Sequence, residues 1–159
     1  MKRDRWQTEL KSPLGNAVIF LAILIACASC SRSFKNRESD SLLLSGYHKF
    51  QIGDYAGAIA DFDMALSIRP SFLNALLNRG VTKAYNNDDS EGIADLDKVI
   101  AINPSLEGAY YNRGLIKADM KKYQEAIADF DQAIKLKPLY EEAYQSRDKA
   151  KALLQLSQK

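Results

Sequence analysis

Two kinds of hydrophobic patterning follow one another along the 159 residues. The first is an unbroken run, AVIFLAILIACA at 17–28, without one charged side chain. The second begins near residue 39 and is periodic, with apolar positions three and four apart, as on one side of a helix. Over roughly 107–120, Ala109, Tyr110, Arg113, Gly114 and Lys117 share a side. Over 123–136, Ala126, Ile127, Phe130, Ala133 and Ile134 do the same. Short turns divide such helices: Gly53-Asp54, Asn86-Asn87-Asp88-Asp89 and Met120-Lys121-Lys122. Pro70, Pro104 and Pro138 close each pair, because proline cannot supply the amide of a continuing helix. Ser90, Ser71 and Ser105 are candidate N-caps for the helices that follow them.

The punctuation is in register. The three prolines are 34 residues apart, and so are Gly46, Gly80 and Gly114. Ile59, Ile93 and Ile127 keep the same interval, as do Asp61, Asp95 and Asp129, then Asp63, Asp97 and Asp131. Arg79, Arg113 and Arg147 carry the phase into the tail. One match is noise, but a set in phase is a repeat. A single helix pair cannot bury its apolar face alone, so three stacked pairs with a continuous core are expected. The units are 39–72, 73–106 and 107–140. Glycine is a poor helix former, so its recurrence inside helices predicts a closely approaching partner helix. The tail over 141–159 reads as a seventh helix that caps the stack, with Asp148 in the glycine place and Glu141, Glu142, Lys149 and Gln155 turned to solvent.

The repeated residues resemble the tetratricopeptide repeat family. Unit three fits best, with Tyr110, Gly114, Tyr123, Ala126, Phe130, Ala133 and Pro138. Unit one has Gly46, Gly53, Tyr55, Ala58, Phe62, Ala65 and Pro70, with Leu42 at the aromatic position. Unit two is degenerate: Leu76, Gly80, Asp89, Gly92, Leu96, Val99 and Pro104. Gly92 stands where a packed alanine is usual and Asp89 where a tyrosine is usual, so unit two is expected to be the loosest. The resemblance implies an all-α superhelix whose first helices line a groove for an extended peptide or a partner helix. Carried onto this chain, the groove is Leu43, Tyr47 and Phe50, then Leu77, Asn78, Val81, Ala84 and Tyr85, then Tyr111, Asn112, Leu115 and Asp119. For Tyr47, Val81 and Leu115, packing against the next helix is an equal alternative. Leu43 and Phe50 could instead cover the open first edge or form a homodimer seam. The family's basic clamp for a C-terminal carboxylate is absent: Leu43, Tyr47, Gly108 and Asn112 stand in its places.

The N-terminal run is an address. Lys2, Arg3, Arg5 and Lys11 precede it, as in a secretory signal. Twelve apolar residues are few against the ~20 that span a bilayer. Leu24-Ile25-Ala26-Cys27 resembles a bacterial lipobox, which implies cleavage after residue 26 and acyl chains on Cys27. Cys30 is a weaker candidate. Ala28 and Ser29, without an aspartate, resemble the sequence that sends a lipoprotein to the outer membrane. A plain cleaved signal, a buried helix and an uncleaved single-pass inner-membrane helix are the alternatives. Residues 27–38 are then a tether.

Composition removes other classes. A net charge of +2 gives no basic footprint for nucleic acid. Two cysteines and one histidine, His48, leave little for a metal or a Cys/His centre. Asp61 and Asp63 are two apart, so they do not share a helix face, and they are expected at solvent-prone places rather than as metal ligands. No glycine run cradles a phosphate. The expectation is a non-catalytic, cofactor-free adaptor for proteins or peptides of the bacterial envelope, lipid-anchored at Cys27. The alternative is a structural or self-associating subunit without an exchangeable ligand.

Overall fold

The computed structural model describes the backbone of residues 13–158 and the side chains of residue 31 and residues 33–158. Seven helices follow one another: α1 (Pro13–Gln51), α2 (Tyr55–Ile68), α3 (Leu73–Tyr85), α4 (Asp89–Ile102), α5 (Glu107–Asp119), α6 (Tyr123–Leu136) and α7 (Glu141–Ser157). The chain divides into two compact units, 1–38 and 39–159.

In the first unit the described backbone is helical, as the beginning of α1. The stretch 27–38, expected as a linker, is helix, and between Gly15 and Gly46 the sequence holds no glycine or proline to break it. The side chains of the lipobox residues and of Cys30 lie outside the described residues, as do residues 1–12 altogether. Among the described residues no helix is long and apolar enough to cross a membrane.

The second unit is the repeat body: residues 39–51 of α1 with α2, α3 with α4, α5 with α6, and α7 last. The helices end where the prolines require it. Arg69, Asn103 and Lys137, each just before a proline, donate their backbone N–H to the carbonyls of Ala65, Val99 and Ala133. The expected serine caps are not formed. The N-cap positions of α3 and α5 belong to Phe72 and Leu106, and Ser90 lies inside α4. The Ser105 amide instead donates to Asn103 Oδ1 at 3.1 Å, which orders the turn after the proline. Asp54 does cap α2, accepting from the Gly57 amide at 2.9 Å. The turn inside each pair places a left-handed residue at the same point of the repeat: Gly53 (φ 82°), Asn87 (φ 67°) and Lys121 (φ 62°).

Phe62, Leu96 and Phe130, at one repeat position, are wholly buried, each beside fully buried small or branched residues. One apolar cluster joins Ala65, Leu66, Phe72, Ala75, Leu76, Val99 and Ala109 across the first two pairs and into α5. Another joins Ala126, Ile127 and Phe130 with Ala150 of α7, and Leu154 packs on it. Helix α7 is therefore the cap, covering side chains that each contribute roughly 1.5–3 kcal/mol by burial.

The recurrent glycines mark the contact between the helices of each pair. A Cβ on Gly46 would stand 2.6 Å from the Phe62 ring, and one on Gly114 would stand 2.7 Å from the Phe130 ring. Unit two solves the same contact differently. With the shorter Leu96 in the ring position and Gly92 in the alanine position, backbone meets backbone. A Cβ on Gly80 would lie 2.9 Å from the Gly92 carbonyl oxygen, and one on Gly92 would lie 2.6 Å from that of Gly80. In the unit expected to be loosest, the smaller Leu96 and Gly92, both on α4, let that helix meet α3 backbone to backbone at Gly80.

Candidate functional site

Two features of the repeat body carry polar chemistry, and only one is open to a ligand. The first is a ladder of arginine–aspartate contacts. Arg79 on α3 donates from Nε and Nη2 to the two oxygens of Asp95 on α4, both at 2.7 Å, and from Nη1 to Asp63 on α2. Arg113 repeats this one unit later, with Asp129 on α6 and Asp97 on α4. Arg147 on α7 reaches back to Asp131 and, lacking a further helix, takes Asp148 as its other partner. Arg79 and Arg113 thus each tie their own helix to two second helices, and Arg147 ties α7 to α6 alone. Unit one has no arginine there; Ser45 and Lys49 hold Asp61 at 2.6 and 2.8 Å.

The placement of these aspartates corrects the expectation from sequence. Asp61, Asp95 and Asp129 are buried, while Asp63, Asp97 and Asp131 are exposed. Burial works against the charge on Asp95. The hydrogen bonds and charge of Arg79, with the charges of Lys83 and Lys98, outweigh it and hold the carboxyl below its ordinary range. Asp61 is likewise lowered, its burial outweighed by Lys49 and Ser45. The Arg113 pKa is raised by its hydrogen bonds to Asp129 against the opposing effect of burial. The ladder is structural.

The second feature is a row of clefts between successive first helices. A void of about 370 Å³ lies between α3 and α5. Val81, Ala84 and Tyr85 line it from α3, Asp89 from the start of α4, and Asn112, Leu115, Ile116 and Asp119 from α5. Between α1 and α3 only about 40 Å³ is open, beside Tyr47, Phe50, Asn78 and Val81. Between α5 and α7 a cleft of about 280 Å³ adds Ser146, Lys149 and Leu153 to Leu115 and Asp119. Val81 is common to the first two voids, and Leu115 and Asp119 to the last two, so the row is continuous.

The difference in size has a local cause. In unit one, Tyr55 packs with Phe50 (ring centroids 5.7 Å) and with Tyr85 (5.6 Å), and Phe50 meets Tyr85 edge-on at 5.2 Å. The equivalent place in unit two is Asp89, too short to fill the space beyond Tyr85. The widest of these three clefts therefore falls beside the helix pair that lacks this tyrosine.

The expected groove residues separate into two groups. Leu43 and Leu77 are half-buried against the core cluster, and Phe50 is committed to Tyr55 and Tyr85. Both Leu43 and Phe50 therefore have internal partners. Tyr111 also turns to packing, stacked 4.9 Å from Tyr140 and 5.9 Å from Phe130. Burial, the neighbouring Tyr111 and the acidic Glu142 and Glu107 push the Tyr140 hydroxyl up to about 12. Tyr47, Asn78, Val81, Ala84, Tyr85, Asn112, Leu115 and Asp119 line the clefts, with Tyr85 59% exposed and Tyr47 48%. Asp89, Ile116 and the α7 residues were missing from the expected groove. The signal was present: Ser146, Lys149 and Leu153 are Asn112, Leu115 and Asp119 advanced by one 34-residue period.

Asp89 and Asp119 have no hydrogen bond or ion pair among the described residues, and no lysine or arginine lines their cleft. Lys83 is engaged with Glu91 and Asp95 and Lys117 with Glu125 and Asp129, while Lys121 and Lys149 line the adjoining cleft between α5 and α7, which Asp119 also faces. Among the described residues no group of three or more His, Cys, Asp or Glu side chains is placed to hold a metal ion.

Residues 108–140 match the tetratricopeptide repeat family. No curated protein matches the chain. Solved structures are similar throughout the repeat body. The first tetratricopeptide domain of RPAP3 (Spaghetti), bound to the HSP90 peptide SRMEEVD, is 24% identical, with 75% of this chain and 94% of that one covered at a TM-score of 0.71. The Sgt2 tetratricopeptide domain from Aspergillus fumigatus is 22% identical, covering 76% and 82% at a TM-score of 0.72. The MamA protein is 25% identical, covering 74% and 70% at a TM-score of 0.64. The fold is that of a tetratricopeptide array: three helix pairs and a capping helix.

Proposed function

We propose that this tetratricopeptide array is a peptide-binding interaction module, held at a bacterial membrane by acyl chains on Cys27, and that its ligand lies in the cleft between α3 and α5. The observation that carries the reading is the state of Tyr85. It is more than half exposed, yet Phe50 and Tyr55 fix its ring at the rim of an open void. An aromatic side chain already held in position gives contact area at little further entropic cost. Val81 and Leu115 supply apolar floor, and Asn112 offers an amide that both donates to and accepts from a peptide backbone. The RPAP3 domain, bound to an HSP90 peptide, supports the assignment of ligand class.

Membrane attachment is supported by sequence: the basic start, the apolar run and Leu24-Ile25-Ala26-Cys27. Cleavage there leaves Cys27 as the first residue, and more than one acyl chain is needed for a stable hold. Ala28 and Ser29 favour the outer membrane over the inner. An envelope protein is then the natural partner.

The test uses the intact protein, captured from non-ionic detergent extracts of envelope. A partner that co-purifies with the parent protein is expected to be lost on Tyr85→Ala while the array stays folded, its unfolding midpoint lowered by the lost contacts with Phe50 and Tyr55. Retention on Tyr85→Ala would place the binding surface elsewhere. Tyr111→Ala is a poor substitute, since it removes packing against Phe130 and Tyr140. The intact mass of the same sample is expected to begin at Cys27 with added acyl chains; an unmodified chain from Met1 would contradict the anchor.

A further inference from the structure

We infer that the cleft between α3 and α5 selects a basic side chain, arginine or lysine, carried by an otherwise apolar peptide segment. The inference rests on the peptide-binding reading above and adds the chemistry of the ligand. Asp89 and Asp119 both line this cleft, and neither is paired among the described residues. The aspartates of the ladder, by contrast, are matched to arginine: Asp63 and Asp95 to Arg79, Asp97 and Asp129 to Arg113. Lys83 and Lys117, on the same two helices as the cleft, are occupied with partners on α4 and α6. The cleft therefore presents two unpaired carboxylates beside apolar walls, with Lys121 and Lys149 on the far, α5–α7 side of Asp119. Complementary charge steers a partner and suppresses the wrong one. The exposed Tyr85 ring in the same cleft gives an arriving cation a π face as well.

A single departure from the repeat creates both the space and the charge. Tyr55 and Tyr123 occupy the position of Asp89 in the other two units. A tyrosine in place of Asp89 would fill part of the void and remove one of its two charges. The polarity is also opposite to what an acidic ligand such as SRMEEVD requires, and the basic clamp positions here hold Leu43, Tyr47, Gly108 and Asn112.

The test takes the full chain in non-ionic detergent and fluorescein-labelled nonapeptides of leucine and alanine with one central Arg, Lys, Gln or Glu. In fluorescence anisotropy, the Arg and Lys peptides are expected to bind at least tenfold more tightly than Gln, and Glu most weakly. The preference should shrink as salt rises, and the double variant Asp89→Asn/Asp119→Asn should bring the Arg-to-Gln ratio near one. Binding that Tyr85→Ala abolishes but that shows equal or greater affinity for Gln or Glu would overturn the charge inference while keeping the cleft as the site. Absence of any Tyr85-dependent peptide binding would overturn both. Self-association in sedimentation velocity that the double variant removes would assign the cleft to a second copy, and would also overturn the proposal.

Discussion

Units two and three have the same helix lengths and the same ladder contacts, but they join their helices by different means. In unit three a phenylalanine ring lies over Gly114, and a tyrosine stands at the start of the second helix. In unit two Leu96 and Gly92 let the backbones meet, and Asp89 leaves the space beside Tyr85 open. The comparison teaches that departures from a repeat need not weaken it. Losing volume on the second helix, at Gly92 and Leu96, closes that contact against Gly80, and losing it at Asp89 opens a cleft where the next unit can supply the far wall.

The largest effects should come from the ring position. Phe130→Ala is expected to cost about 4 kcal/mol and Leu96→Ala about 3 kcal/mol, both being wholly buried and differing in the volume lost. Urea unfolding measures both, and an equal cost would mean that unit two collapses less around its lost side chain than unit three does.

The ladder comes next. Arg113→Ala strands the buried Asp129, but Lys117 still reaches that carboxylate at 2.8 Å, so the cost is set at about 2 kcal/mol, below the usual range for a broken buried pair. Arg147→Ala, whose partners Asp131 and Asp148 are exposed, should cost well under 1 kcal/mol. The same contacts set the acid limit. Asp61 and Asp95 have folded pKa values below their unfolded ones. Their contribution is complete above an unfolded pKa of about 3.9 and is lost as pH falls through the folded values. Stability should fall below about pH 4, and Asp95→Asn should lower stability at neutral pH while flattening that fall.

Gly92→Ala restores what the other two units have at that position, Ala58 and Ala126, both fully buried. A gain of about 1 kcal/mol in helix propensity competes with about 2 kcal/mol of overpacking against the Gly80 carbonyl, so a net loss near 1 kcal/mol is expected. A stabilised variant would show that the helices of unit two part without penalty. The smallest effect is a gain. Lys121→Gly relieves a left-handed side-chain conformation worth about 1–2 kcal/mol against roughly 0.4–1 kcal/mol of added unfolded-state entropy, leaving about 0.5 kcal/mol in thermal unfolding.

Periodicity made the fold legible. The 34-residue interval located three pairs and a cap, and helices expected at 107–120 and 123–136 run over 107–119 and 123–136. The glycine places predicted close approach, and the expected Phe130 neighbourhood is what α7 covers. What the sequence hid was set by partners distant along the chain. Asp95 reads as a helix-surface residue until Arg79, sixteen residues earlier, is brought against it. Ser71 and Ser105 look like caps, but the turn after each proline puts Phe72 and Leu106 at the cap position. Tyr111 and Leu43 are on the expected helices, yet neighbouring units take them into packing. Asp89 drew notice only as a missing tyrosine, because the cleft it lines needs α5 as its other wall.

The most direct measurement is site-specific photocrosslinking in cells, with a benzophenone side chain at Asn112 in the cleft or at Met64, which is exposed on α2 and lines none of the clefts. The account predicts a discrete partner adduct from position 112, weakened when Asp89→Asn/Asp119→Asn is combined with it, and none from position 64. Adducts from position 64 with none from 112 would contradict it.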